Sequence, residues 1–571
     1  MKKELKIGII AAVFIIMVVA GYPIFLNGTS YPIDSAVFTT LDRVILPVNV
    51  SATAPKIQPY DIPKFAQDGY GGWQYGPGLG FEKRLDLMSP GYTGAKATNT
   101  AELLNFFTVT DIHITDEESP AEAIYYGYAW GVISGYSPAM LYTTQVLDAA
   151  VQTVNVLHRK NPFDFGIILG DDINNGQYNE LRWFIDVLDG KTVKPDSGVM
   201  DDPVPGPNND YQDSYKAAGL DKTIKWYQVL GNHDHFWMGM YPPDDYIKNT
   251  MVNDTMLNVG NIFMSPLGIK SRGFYMGAVN GSTPYGNIIG AGPVSEFPDG
   301  APKTPADANR RFLSRNEWIG EFFNTTTAPV GHGFDQEAIS SGFACYSFEP
   351  KSDIPIKVIV LDDTQRDDDP SDENGNGRGS LDTERYDWLV KELDNGQAEG
   401  KLMIIAAHIP IGIDLGSTGL SASMTWSKYS AVSDTDLLAK LHTYPNLILW
   451  VAGHRHLNII TALKSPDASR PELGFWEVET SSLREFPQQF RTFQIVRNSD
   501  NTISIFTTDV DPAVKDGSFA ALSRAYAIAA HQVFNITTDL PPSGAYNAEL
   551  VKQLSPEMQN KIKGYGKQIG K

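Results

Sequence analysis

Trp226-Tyr227-Gln228-Val229-Leu230-Gly231-Asn232-His233-Asp234 is the stretch on which the reading of this chain turns. Its first five residues carry no charge and are mostly apolar, as in a strand buried on both faces, and the glycine ends the run. An amide, an imidazole and a carboxylate follow in direct succession, each able to offer oxygen or nitrogen to a cation. Four other places share this design. Phe106–Thr110 leads into Asp111-Ile112-His113, Phe165–Leu169 into Gly170-Asp171, Leu402–Ile405 towards His408, and Leu447–Val451 towards Gly453-His454-Arg455-His456.

Between the first two strands Val146, Ala150, Val154 and Leu157 recur at helical spacing, so strand, helix and strand follow one another and the fold class is α/β. In such sheets binding groups collect at the C-terminal ends of the strands, where the sheet fixes the origin of each loop. The five polar islands are therefore expected to converge on one site. Divalent cations that hydrolyse phosphate esters use oxygen and imidazole ligands in pairs, and one carboxylate usually reaches both ions. Asp171, just after Gly170 at a strand end, is the candidate for that shared position.

The chain has 571 residues, 42% of them hydrophobic, enough for one large domain with insertions. A formal charge of −21 with no long basic run argues against binding nucleic acid, which depends on Lys and Arg displacing counterions. Cys345 is the single cysteine, which excludes an intramolecular disulfide and a thiolate zinc cluster. Any metal must be held by His, Asp, Asn or Glu.

The ordered set Asp-x-His, Gly-Asp, Gly-Asn-His-Asp, His and Gly-His-x-His, spread over about residues 103 to 460, resembles the calcineurin-like metallophosphoesterase superfamily. The resemblance implies a four-layer αββα sandwich, here with a large insertion and N- and C-terminal extensions. It also implies two divalent metal ions, Mn, Fe or Zn. By this likeness Asp111, His113 and His456 would hold one ion, Asn232, His408 and His454 the other, and Asp171 would bridge them. His233 would not ligate but would stand near the leaving group as general acid. The implied reaction is hydrolysis of phosphomonoester or phosphodiester bonds by a metal-bridging hydroxide. Two other readings suit the same residues: a catalytically silent envelope protein for binding or structure, and a hydrolase of nucleotide pyrophosphate bonds.

Departures from the resemblance narrow it. Purple acid phosphatases carry a Tyr ligand three residues after the second Asp, where this chain has Asn174, and the Arg-Gly pair of the protein phosphatases is replaced within Asp171-Asp172-Ile173-Asn174-Asn175-Gly176. Asp234 either orients a neighbour or completes its turn. His235 is expected to stay off the substrate, and His158, His332, His442 and His531 read as ordinary surface or buried side chains. In the acidic stretch 367–382, Asp372, Asn374, Asn376 and Gly377 resemble the start of a calcium loop, but Thr383 stands where a bidentate Glu is needed. A solvated acidic loop is the favoured reading, with calcium the alternative.

At the N-terminus Lys2, Lys3 and Lys6 precede a charge-free run from Ile7 to Leu26, so residues 1–29 read as a signal peptide or a membrane anchor. Either one places the rest outside the cytoplasm, membrane-anchored or secreted. Asn-x-Ser/Thr sequons at Asn27, Asn49, Asn253, Asn280, Asn324 and Asn535 fit that placement. Residues 30–100, rich in Pro, Gly and Tyr, read as an irregular arm, and 101–510 as the phosphoesterase domain. Within it 236–345 reads as an insertion, either a substrate-facing cap or a structural elaboration. Residues 511–571 read as a helical extension, with Phe519, Leu522, Tyr526, Ala529 and Val533 on one helix behind Ser518 and Leu550, Val551, Leu554 and Met558 on another. A phosphoester of small-molecule or lipid type is the expected partner.

Overall fold

A computed structural model describes residues 33–132, 135–198, 212–261, 266–280, 286–369, 377–411, 426–538 and 543–569. Residues 1–29, including the Ile7–Leu26 run and Asn27, lie outside this set, as do Asp372, Asn374 and Asn376 of the acidic stretch. Among the described residues no helix is long and apolar enough to cross a membrane.

Six strands carry the site: β1 (Asn99–Val109), β2 (Phe165–Ile168), β3 (Trp226–Gln228), β4 (Leu402–Ala407), β5 (Leu447–Ala452) and β6 (Phe475–Glu479). β1, β2 and β3 pair in parallel within an eight-stranded sheet, which β1 extends antiparallel through Phe490–Asn498. β4, β5 and β6 pair in parallel within a six-stranded sheet, joined on one side by Ile356–Leu361 and closed at both edges by antiparallel strands.

Side-chain alternation decides what each face covers. In β4, Leu402, Ile404 and Ala406 join an apolar cluster that also holds Phe106, Phe165, Ile167 and Phe493 of the other sheet. Met403, Ile405 and Ala407 point the opposite way and meet Leu389 and Leu393 of the helix Thr383–Ala398 and Leu437 and Leu441 of Asp434–Leu441. On the eight-stranded sheet Phe107, Val109 and Ile168 pack against Val146, Ala150 and Val154 of the helix Thr143–Lys160 and against Leu181 and Phe184 of Tyr178–Asp189. Strands covered on both faces need apolar residues at every position, which is why β4 and β5 read as unbroken runs.

Three expectations need correction. Residues 30–100 are not irregular throughout: Arg43–Pro47 pairs with Trp73–Pro77, and Glu82–Leu87 adds to the eight-stranded sheet beside Asn547–Lys552. The C-terminal extension is not wholly helical either, because Leu550 and Val551 lie in that strand, followed by a helix at Pro556–Ile562. A short apolar run satisfies both periods, and here the open edge of Ile503–Val510 supplied the pairing partner. In the stretch 236–345, Asp245–Val252 and a three-stranded sheet form a satellite around Trp237, Leu257 and Met276. From Leu313 onward, however, Trp318, Ile319, Phe322 and Phe334 enter the main core beside Trp226. The helix Phe519–Val533 lies where its periodicity places it, with the Ser518 hydroxyl accepting from the Ala521 N–H at 3.2 Å.

His332 belongs to that core. Its ring stacks on Trp226 with centroids 3.4 Å apart, and burial draws its pKa down to about 3. A base held neutral in the fold but free to protonate when unfolded favours the native state above pH 6.5 and loses that contribution as pH falls towards 3. Urea unfolding across that window should show stability falling by up to about 1.4 kcal/mol per pH unit from this group. His332→Asn, which tolerates the local φ of 46°, should flatten the slope by up to one proton; an unchanged slope contradicts the assignment.

Candidate metal centre

All five islands lie at strand ends and face one another. Asp111 and His113 follow β1, Asp171 follows β2, Asn232 and His233 follow β3, His408 follows β4, and His454 and His456 follow β5. The loops are stitched together by backbone hydrogen bonds: Asp111 N–H to Gly170 O at 3.0 Å, His113 N–H to Asp171 O at 3.0 Å, and Gly453 N–H to His408 O at 2.9 Å. Asp234 adds to this by accepting from the N–H groups of Gly231 at 2.7 Å, Asp172 at 2.9 Å and Asp171 at 3.0 Å. Its carboxylate therefore completes its own turn and pins that turn to the Asp171 loop. The glycines permit this closeness. A Cβ on Gly231 would strike Asp171, and one on Gly453 would strike Thr110 and Asp111.

The chain at these ends is held in a conformation that L residues seldom adopt. Asp111, His113, Asp171, His454 and His456 all have φ between 48° and 73°. Such positions cost about 1–3 kcal/mol each and persist only where the surroundings over-determine them. Five of them at one site mean that the backbone is bent to aim side chains.

Those side chains are aimed by one atom and free at the other. Asp111 Oδ2 accepts from Thr110 Oγ1 at 2.7 Å and from His454 N–H at 2.9 Å, while its buried Oδ1 makes no well-aligned hydrogen bond and faces His456 Nε2 at 3.3 Å. Asp171 Oδ1 accepts from His233 N–H at 2.8 Å, leaving Oδ2 3.2 Å from His408 Nε2 and 3.8 Å from His113 Nε2. Asn232 donates Nδ2–H to Gly239 O at 3.0 Å, which directs Oδ1 to His408 Nε2 at 2.9 Å and His454 Nδ1 at 3.0 Å. His408 is fixed in turn by its Nδ1 donating to Leu169 O at 2.8 Å.

Two groups of donor atoms result. Asp111, His113 and His456 bring theirs within 4.8 Å of one another, as do Asp171, His408 and His454, and a ring nitrogen of His233 comes equally close to the donors of His113 and Asp171. The Nε2 atoms of His113 and His456 face each other at 3.1 Å, so close that a proton or a cation must stand between them. The acid–base balance says the same. Burial opposes charge on His408 and His456, yet the carboxylates Asp171 beside the first and Glu485 and Asp111 beside the second raise both to about 10. Burial, with charged His408 alongside, pushes His454 down to about 3. Anionic and imidazole donors with an orphaned oxygen fit divalent cations.

The structure thus brings together all eight residues singled out in the sequence. His235 turns away, to Asp367 Oδ1 and Thr364 Oγ1, both at 3.1 Å. Asn174 offers its side chain to Glu122 and Arg484 and its carbonyl to His233 Nδ1 at 2.7 Å. In the acidic stretch Asp382 caps the helix at Thr383, accepting from Arg385 N–H at 2.8 Å. One part of the site was missed: the loop after β6, whose Ser482 donates to Asp111 O at 2.7 Å and whose Glu485 meets His456 Nδ1 at 3.1 Å. Its signal was available, since Phe475–Glu479 reads as a strand and Arg484-Glu485 is a polar pair just beyond its end.

No protein-family model and no curated protein matches the chain. Among solved structures, a dimetal phosphatase from Danio rerio is similar with 12% identity and a TM-score of 0.36, over 72% of this chain and 97% of that one.

If Asp234 knits the two loops, Asp234→Ala should strand several buried N–H groups and cost about 2–4 kcal/mol in urea unfolding. A loss below about 0.5 kcal/mol contradicts that role.

Proposed function

We propose that the chain is a binuclear metal-dependent phosphoesterase of the four-layer αββα kind, hydrolysing phosphomonoesters or phosphodiesters. One observation carries the reading. Two sets of donor atoms meet at Asp171, whose Oδ1 is tied to the His233 amide while Oδ2 points between them. Asp111, His113 and His456 would hold one ion, Asn232, His408 and His454 the other, with Asp171 common to both.

Divalent manganese, iron or zinc, when bound, supplies positive charge for phosphoryl oxygens and makes water acidic enough to attack near neutral pH. The chain's own groups do the rest. The tethers on Asp111, Asp171 and Asn232 hold their free oxygens in place before substrate arrives, so little reorganisation is needed in the transition state. His233 donates its Nδ1–H to Asn174 O, so Nε2 is the atom left to face the departing oxygen. As general acid it would act from the imidazolium, which burial opposes and the neighbouring Asp171 charge favours. Asn174 turns its side chain to Glu122 and Arg484, which supports a site of nitrogen and carboxylate donors without a tyrosinate.

Export, by a cleaved signal or a retained anchor, is also proposed, and the charge-free run Ile7–Leu26 is its support. A phosphoester of small-molecule or lipid type is the proposed substrate, and the charge of −21 disfavours nucleic acid.

A panel of aryl phosphates, aryl diesters and nucleotides with added manganese or zinc should reveal turnover. Asp171→Asn should lower it by at least about a hundredfold. Full activity in that variant contradicts a shared carboxylate, and metal uptake without turnover of any substrate favours a binding protein.

A further inference from the structure

Glu485 stands outside all five islands, yet it lies at the middle of a chain of buried contacts linking a metal-holding residue to the proposed acid. Its Oε2 meets His456 Nδ1 at 3.1 Å and its Oε1 meets Arg484 Nη2 at 3.0 Å. Arg484 extends Nη1 to Asn174 Oδ1 at 3.1 Å, and the carbonyl of the same Asn174 receives the His233 Nδ1 proton at 2.7 Å. Arg484 and Asn174 are each 2% exposed, and Glu485 is 9% exposed. The loop that carries the pair is anchored to the site itself. Ser482 Oγ donates to Asp111 O at 2.7 Å and accepts from Arg484 N–H at 3.0 Å, while Gln488 Nε2 donates to Arg484 O at 2.9 Å.

We propose that Glu485 and Arg484 are positioning residues, Glu485 setting His456 as a metal ligand and Arg484 tying that placement to His233. The inference rests on the phosphoesterase reading above. An imidazole presents a lone pair at one nitrogen only when its proton is held on the other. Glu485 holds the proton of His456 on Nδ1, which leaves Nε2 to face Asp111 Oδ1 at 3.3 Å and His113 Nε2 at 3.1 Å. His456 has more need of this than His113 or His408. Its side chain keeps 19% of its surface open, whereas those of His113 and His408 are fully enclosed. Arg484 carries the constraint onward, because its fork spans Glu485 and Asn174 and so fixes the carbonyl against which His233 is set.

Calorimetric titration of chelator-stripped protein with Mn²⁺ tests the inference. Wild-type protein should take up two ions, and Glu485→Gln, near in shape, should weaken one of them about 10–100-fold and leave the other unchanged. Glu485→Asp should recover part of the loss. In a His456→Ala background Glu485→Gln should add nothing, since it acts through His456. Arg484→Met should keep both ions and KM but lower kcat, more for an alkyl phosphate than for 4-nitrophenyl phosphate, whose leaving group needs little protonation. Thermal melts establish that each variant is folded. A folded Glu485→Gln that binds both ions like wild type overturns the proposal, as does an additive loss with His456→Ala. If wild-type protein takes up two ions but hydrolyses no phosphoester, only the functional reading fails, and the titration still decides the role of Glu485. If it takes up none, both fail.

Discussion

Asp171 is the group on which the rest of the site depends. Its backbone carbonyl receives the His113 N–H, its N–H is held by Asp234, one carboxylate oxygen takes the His233 N–H, and the other oxygen stands between His113 and His408. Three loops are thereby fixed to one residue, and it sits at φ 53° to meet them all. The charge left on Oδ2 is buried, and burial alone would neutralise it. His408 and His233 hold its pKa far below the ordinary carboxylate range instead. A buried anion among imidazoles is costly unless strong charge offsets it, and divalent cations supply such an offset.

That arrangement is possible because the polar atoms lie at the edge of the apolar layers. β1 and β2 in one sheet, and β4 and β5 in the other, face the same cluster of Phe106, Phe165, Ile404, Leu449 and Val451, so their C-terminal ends are brought together before any side chain is aimed. Hydrophobic burial sets where the loops start; glycines, left-handed residues and backbone hydrogen bonds set how they end. A change in sheet packing would therefore move several of these donor side chains at once, whereas a change at Asp234 or Glu485 would move one or two.

How much could be read in advance follows the same division. Strands such as Leu402–Ala407, buried on both faces, announce themselves as uninterrupted apolar runs, and their polar ends announce the donors. Helices with a sustained period, Thr143–Lys160 and Phe519–Val533, were equally legible. Leu550 and Val551 were not, because a few apolar residues suit a helix or a strand and the decision lay with the distant partner Ile503–Val510. Leu313–Phe334 was hidden in a stretch rich in turns, and only the fold shows that Trp318 and Phe322 complete the core around Trp226. Glu485 escaped for a related reason: the strand before it was legible and marked the loop, but Glu485 is 29 residues from His456 in sequence, and nothing local pairs that carboxylate with that imidazole.

Anomalous scattering from crystals grown with Mn²⁺ would locate the ions. Two peaks about 3.5–4 Å apart are expected, one beside Asp111, His113 and His456 and the other beside Asn232, His408 and His454, both touching Asp171. A single peak, or two peaks that Asp171 does not join, would contradict a carboxylate shared by two ions.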